Sequence, residues 1–269
     1  MKLFFRKYGE AGPPLIIVHG LYGASDNWVS IARDLSDQFE VFVVDQRNHG
    51  DSPQADQHTY ESMRDDLREF MDDQGIEQAT LLGHSMGGKT VMAFAMAWPE
   101  RVASLIVVDI APVSYLDAVD NSKMTANHAR MIDALMELDL DSLESREDAS
   151  KALTVKIGSE RIRLFLLKNL TRDSDQSFKW KINLPVLKKS LDEIMDGLPT
   201  GEHIKNGGIK GFPVCFVRGE NSDYIRPEDH DTIRKLFPTA EIVSIPNSGH
   251  WVHAEQPDLL VKNLKYFLG

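Results

Sequence analysis

In "LLGHSMGGKT" (Leu81 to Thr90) a lone serine, Ser85, stands between Gly83 and Gly87. The residues before it form an apolar strand pattern, "ATLL", and those after it, "GKTVMAF", an amphipathic helix. A serine at such a strand-to-helix corner is the pattern of an exposed nucleophile. The corner is strained, so its neighbours must be small enough to let strand and helix pass close by. It also sets the hydroxyl at a helix start, where unpaired backbone N–H groups favour negative charge. A packing corner with an incidental serine is the bland alternative, and the flanking elements weigh against it.

A serine hydroxyl is a poor nucleophile without a base, so one of the nine histidines must serve. His19 and His49 lie in early loops, and His84 is expected to point away from its serine neighbour. His58, His128, His203 and His230 sit among polar residues and read as solvated. His250 and His253 remain, in "IPNSGHWVHAEQP" after the last apolar run; His250 follows a Ser-Gly turn that frees its ring, whereas His253 falls where a helix begins. His250 is the expected base. An acid must fix its tautomer, and two candidates follow apolar runs: Asp109 in "SLIVVDIAP" and Asp223 in "VRGENSDYI". Two N–H donors must meet the developing oxyanion. Met86, directly after the nucleophile, offers one, and Leu21 in the glycine-rich "VHGLYGASDNW" offers the second. That turn lacks the G-x-x-x-x-G-K-[ST] and G-x-G-x-x-G spacings, which argues against a nucleotide.

The elements that must position these groups are legible as well. "PLIIVHG", "EVFVVDQ", "ATLLGHS", "SLIVVDIAP", "FPVCFVRGE" and "EIVSIPNSGH" are short, rich in Val, Ile and Leu, and free of polar alternation. Strands of a parallel sheet covered on both faces have that composition. Helical patterns separate them, and Pro257 lies near the first turn of the last one. Alternation of this kind implies a doubly wound sheet with right-handed crossovers. Between Asp109 and Phe212 the alternation stops: amphipathic helical segments follow one another with no convincing strand pair. The expectation is a core from 1–111 and 210–269, with a helical cap inserted at 112–209. Gly207, Gly208 and Gly211 loosen its return.

Composition narrows the classes. The 269 residues carry 41 acidic against 30 basic groups, a net charge of −11, which repels polyphosphate and weighs against nucleic acid. No apolar run reaches the ~18 residues of a membrane span. The N-terminal "MKLFFRKYGE" lacks a secretory apolar core. Cys215 is the single cysteine, in an apolar run, so no intramolecular disulfide forms and the thiol is expected to be buried. A cytoplasmic address is the default expectation.

The motifs "HGLYGASDNW", "VVDQRNHGDSP", "GHSMGGKT", "DIAPVSY" and "GHWVHAEQP", in that order, resemble the α/β-hydrolase superfamily, and more closely its YbfF-type acyl-CoA thioesterase/esterase group. The likeness is weakest at about 120–200. It implies an α/β-hydrolase fold, a mostly parallel central sheet flanked by helices with an inserted helical cap. It also implies serine esterase or thioesterase chemistry on a small acyl substrate, with no metal or organic cofactor. Most of the superfamily carries the acid three residues after a glycine that follows the penultimate strand; counting from Gly219, that position is Ser222, and Asp223 is one step late. The YbfF-type group is similar in using the Asp that begins "DIAP", which favours Asp109, 24 residues after Ser85, over Asp223. Asp45 and Arg47 read as structural ties. Trp28, Tyr115 and the apolar faces of the inserted helices are candidates to line an acyl pocket, against ordinary packing. Rival activities are C–C bond hydrolysis or perhydrolysis on the same three residues, and a non-catalytic binding protein of this fold. Haloalkane dehalogenases and epoxide hydrolases use Asp where Ser85 stands.

Overall fold

Each Val/Ile/Leu-rich run becomes a strand in the computed structural model, which describes residues 1–116 and 122–269; residues 117–121, inside the range expected for the cap, lie outside the described residues. The strands are β1 (Phe5–Tyr8), β2 (Pro14–Val18), β3 (Glu40–Val44), β4 (Ala79–His84), β5 (Val102–Val108), β6 (Leu170–Arg172), β7 (Phe178–Trp180), β8 (Val214–Gly219) and β9 (Ala240–Ile245). Seven form one sheet in the order β1-β3-β2-β4-β5-β8-β9, parallel throughout except for β1, which pairs antiparallel with β3 at the edge. The other two form a small antiparallel hairpin.

The pleat sends alternate side chains to opposite faces. Leu15 and Ile17 of β2 pack with α1 (Val29–Leu35) and the C-terminal helix, whereas Ile16 and Val18 pack with α2 (Tyr60–Asp73) and α3 (Met86–Ala97). Both faces are therefore covered, as continuous apolar strands require. Cys215 on β8 is buried among these layers, and burial pushes its thiol up to about 12.

Between β5 and β8 the described residues form α4 (Ser122–Met136), α5 (Arg146–Leu153), α6 (Glu160–Leu166), α7 (Leu184–Lys189), α8 (Leu191–Met195) and α9 (Gly201–Lys205), together with the β6–β7 hairpin. The hairpin is a strand pair that the helical periodicity of this stretch does not announce. After β8 come α10 (Asp229–Leu236), the short α11 (Val252–Glu255) and α12 (Pro257–Leu268), which Pro257 opens at its first position. Ties join the inserted helices to the sheet layers: Tyr60 Oη donates to the Ile194 carbonyl at 2.7 Å, and the buried Lys89 Nζ donates to the Asp196 carbonyl. Among the described residues no helix is long and apolar enough to cross a membrane.

Candidate active site

Parallel strands all end on the same side, so loops after β2, β4, β5, β8 and β9 converge there, the usual place for a site in an α/β sheet. Ser85 follows β4 and is the residue before α3, with φ 53° and ψ −122°, a left-handed conformation that a residue with a Cβ adopts at a cost. Its neighbours must be glycine: a methyl on Gly83 would strike the Gly87 carbonyl, and one on Gly87 would strike the Val18 carbonyl. The Ser85 amide donates to the Val108 carbonyl at 3.0 Å, locking the corner to β5.

The Ser85 hydroxyl lies 3.0 Å from His250 Nε2 and donates to it. His250 Nδ1–H donates to Asp109 Oδ2 at 2.8 Å. Asp109 is fully buried, also at positive φ (53°), directly after β5. Its Oδ1 accepts the Gly219 amide at 2.8 Å, and its Oδ2 accepts the Ser222 hydroxyl as well. Thus Ser222, three residues past Gly219, contributes a donor to the carboxylate from the neighbouring loop. Asp223 is exposed to solvent, and its carboxylate takes no part in these contacts.

Leu21 and Ser85 line one narrow niche with Tyr22, His84, His128, Met131, Ile162, Phe165, Leu166, His250 and Trp251. Met86 opens α3, where first-turn N–H groups have no acceptor within the helix. The expected structural ties are in place: Asp45 accepts from the Ser25 and Asp51 amides at 2.5 and 2.8 Å, and Arg47 grips Asp66 of α2 through two hydrogen bonds of 2.6 and 2.8 Å.

Spacing alone does not announce several of the residues around His250. His84 Nε2–H donates to the His250 carbonyl at 2.9 Å, and burial, chiefly, keeps its ring neutral far below the ordinary histidine range. Glu255 accepts the Gly249 amide at 2.7 Å and pairs with Arg161 of α6 at 3.1 Å. Tyr224 stacks on the imidazole with centroids 3.8 Å apart. His253 is buried, stacked on Trp28 at 4.5 Å, with its pKa lowered to about 3 mainly by burial.

Other expectations are corrected. His58 is fully buried instead of solvated, its Nε2 3.3 Å from the Met86 sulfur, and His128 is half-buried with both ring nitrogens engaged. Trp28 and Tyr115 have no exposed surface and pack into the core; the Tyr115 hydroxyl accepts the Ala111 amide at 2.9 Å and donates to the Tyr224 carbonyl at 2.6 Å. The cavity beside His250 is instead walled by Met124, Met131, Ile157, Ile162, Tyr224 and Trp251, and measures about 360 Å³. A second cavity, about 410 Å³, lies beyond the Phe165 and Trp251 rings and touches neither Ser85 nor His250.

Against known proteins, residues 13–257 match the family model described as alpha/beta hydrolase fold. The chain belongs to the α/β-hydrolase family, and the relatives named as esterases and lipases place it among the carboxylic ester hydrolases. It is 37% identical over 258 residues to the mouse (Mus musculus) sn-1-specific diacylglycerol lipase ABHD11, covering 95% of this chain and 81% of that one. It is 33% identical over 257 residues to esterase YbfF of Escherichia coli (strain K12), covering 95% and 92%. A solved marine microorganism esterase superposes with a TM-score of 0.91 at 44% identity, covering 99% of each chain.

Proposed function

We propose that the chain hydrolyses carboxylic esters or acyl thioesters, of acyl-CoA type among them, through Ser85, His250 and Asp109. The single observation that carries this reading is the unbroken line of hydrogen bonds, 3.0 Å from Ser85 to His250 and 2.8 Å from His250 to Asp109. Ser85 Oγ attacks the carbonyl carbon while its proton passes to His250 Nε2. Asp109 stays ionised and holds the ring as the imidazolium forms. The carbonyl oxygen, now an oxyanion, is met by the Leu21 and Met86 amides. Collapse breaks the ester or thioester bond; His250 gives its proton to the departing oxygen or sulfur, and the acyl group remains on Ser85. Water then attacks the acyl carbon, yields a proton to His250, and collapse frees the carboxylic acid as the proton returns to Ser85.

In this reading residues 1–111 and 210–269 carry the chemistry, and residues 112–209 are the cap that shapes access. The methionine- and isoleucine-walled cavity beside His250 fits an apolar substituent, and methionine adapts to irregular shapes. The mouse relative's name as a diacylglycerol lipase points the same way. The test is Ser85→Ala. It is expected to fold as the parent does, to lose turnover of p-nitrophenyl acetate and to escape labelling by a fluorophosphonate probe. Retained turnover refutes the reading, and a parent protein that the probe cannot label favours a non-catalytic binding role. A graded panel of nitrophenyl esters and acyl-CoAs then ranks ester against thioester.

A further inference from the structure

His128 belongs to α4, within the inserted segment, yet it lines both the niche that holds Ser85 and the cavity beside His250. Its contacts reach opposite sides of the site. Nδ1 lies 3.3 Å from the Tyr22 hydroxyl and Nε2 lies 3.0 Å from the Tyr224 hydroxyl. Tyr22 Oη donates to the His128 carbonyl at 3.4 Å, so its lone pair is left for Nδ1–H. Nε2 is then an acceptor, filled by the Tyr224 hydroxyl. One neutral tautomer satisfies all three groups, and burial, with the nearby His250, lowers the ring's pKa to about 4.

Each phenol controls a different part of the machinery. Tyr22 follows Leu21 and sits at φ 62°, a conformation unfavourable for any residue with a Cβ. It is pinned there by its amide donating to His49 Nε2 at 3.3 Å, by its carbonyl accepting from Asn169 at 2.8 Å, and by His128. Tyr224 lies on the His250 ring, 20° from parallel, and its amide donates at 3.3 Å to the same Ser222 hydroxyl that serves Asp109. His128 therefore spans from the loop bearing one oxyanion donor to the aromatic plate that backs the base.

We propose that His128 is a positioning residue, borne by the cap, that keeps the Leu21–Tyr22 loop in register with the His250 imidazole. The inference rests on the reading of Ser85 and His250 above. It implies that α4 does more than wall the acyl cavity: its seating sets the rate of chemistry even for a substrate too small to use the cavity.

The experiment compares His128→Phe, His128→Gln and Tyr224→Phe on p-nitrophenyl acetate and on a long-chain nitrophenyl ester. His128→Phe keeps an aromatic ring but removes both nitrogens. It is expected to lower kcat on acetate by roughly tenfold or more with KM little changed, the signature of lost transition-state stabilisation. His128→Gln, whose amide offers one donor and one acceptor, is expected to recover most of that loss. Tyr224→Phe, which removes a single hydroxyl, is expected to lower kcat on acetate in the same direction, and to add little in the His128→Phe background because the two act as one unit. Tyr224→Phe carries the comparison should the ring swap fail to fold. An unchanged kcat on acetate, with only the long-chain KM rising, makes His128 a cavity wall and overturns the proposal. Equal impairment of the Phe and Gln variants does so too, since packing alone then explains it. Fluorophosphonate labelling of the parent at Ser85 keeps the two readings apart: a parent labelled at Ser85 with an indifferent His128 sinks this proposal alone.

Discussion

Asp109 holds three hydrogen bonds at once, from the His250 ring, the Gly219 amide and the Ser222 hydroxyl, and has no exposed surface. Asp223, a single step past Ser222, is exposed. Asp109→Asn is accordingly expected to lower kcat by about 10²–10⁴, because an amide can donate to Nδ1 and favours the wrong tautomer. Asp223→Asn is expected to leave kcat within about twofold, since exposed substitutions away from such contacts are close to neutral. Steady-state kinetics on one nitrophenyl ester reads both, and the reverse ranking transfers the acid role to Asp223. Read from local composition alone these two aspartates look alike, each following an apolar run. What separates them is a contact made across 110 residues, from Gly219 to Asp109, which no local spacing encodes. His128 is hidden for a related reason. Its neighbours in "TANHARM" mix polar with small or apolar residues, and the face that a helix buries depends on the partner that receives it.

Among the elements, α2 is moored to the loop after β3 by the Arg47–Asp66 pair, whose side chains are only 10% and 4% exposed. Removing one partner leaves a buried charge uncompensated, a loss of about 3–5 kcal/mol. Asp66→Ala is thus expected to shift the urea midpoint down strongly, while the folded fraction at low temperature keeps its turnover. A midpoint unchanged within error would show the pair to be dispensable. Apolar strands and amphipathic helices were the most legible part of the fold, because each has to bury a continuous face. The edge strand β1, "FRKY", and the hairpin strands "LTR" and "FKW" were not. They are three or four residues long, each carries a charged side chain, and they owe their conformation to the strands they pair with.

For the molecule as a whole, buried neutral histidines dictate a response to acid. Burial is the leading cause that lowers His19 to about 4, His49 to about 3 and His253 to about 3, each from an ordinary value near 6.5. Above about pH 6.5 these rings are neutral in both folded and unfolded chains and contribute no pH dependence. Below it the unfolded chain binds protons that the folded one refuses, so stability is lost as pH falls towards 4 and 3, by about 1.4 kcal/mol per pH unit for each ring. Melting temperatures followed by circular dichroism should therefore drop steeply between pH 6.5 and 4. A flat profile through that lower window would mean that the rings take up protons without unfolding.

Ser85 and His250 stand 165 residues apart along the chain, and Asp109 and His250 stand 141 apart. Parallel sheets built from such distant partners form slowly, since long loops must close before their contacts reward them. During biosynthesis Ser85 emerges 165 residues before the imidazole that serves it. A nascent chain that has already folded its first strands thus carries an idle serine, and competence arrives when the segment bearing His250 docks.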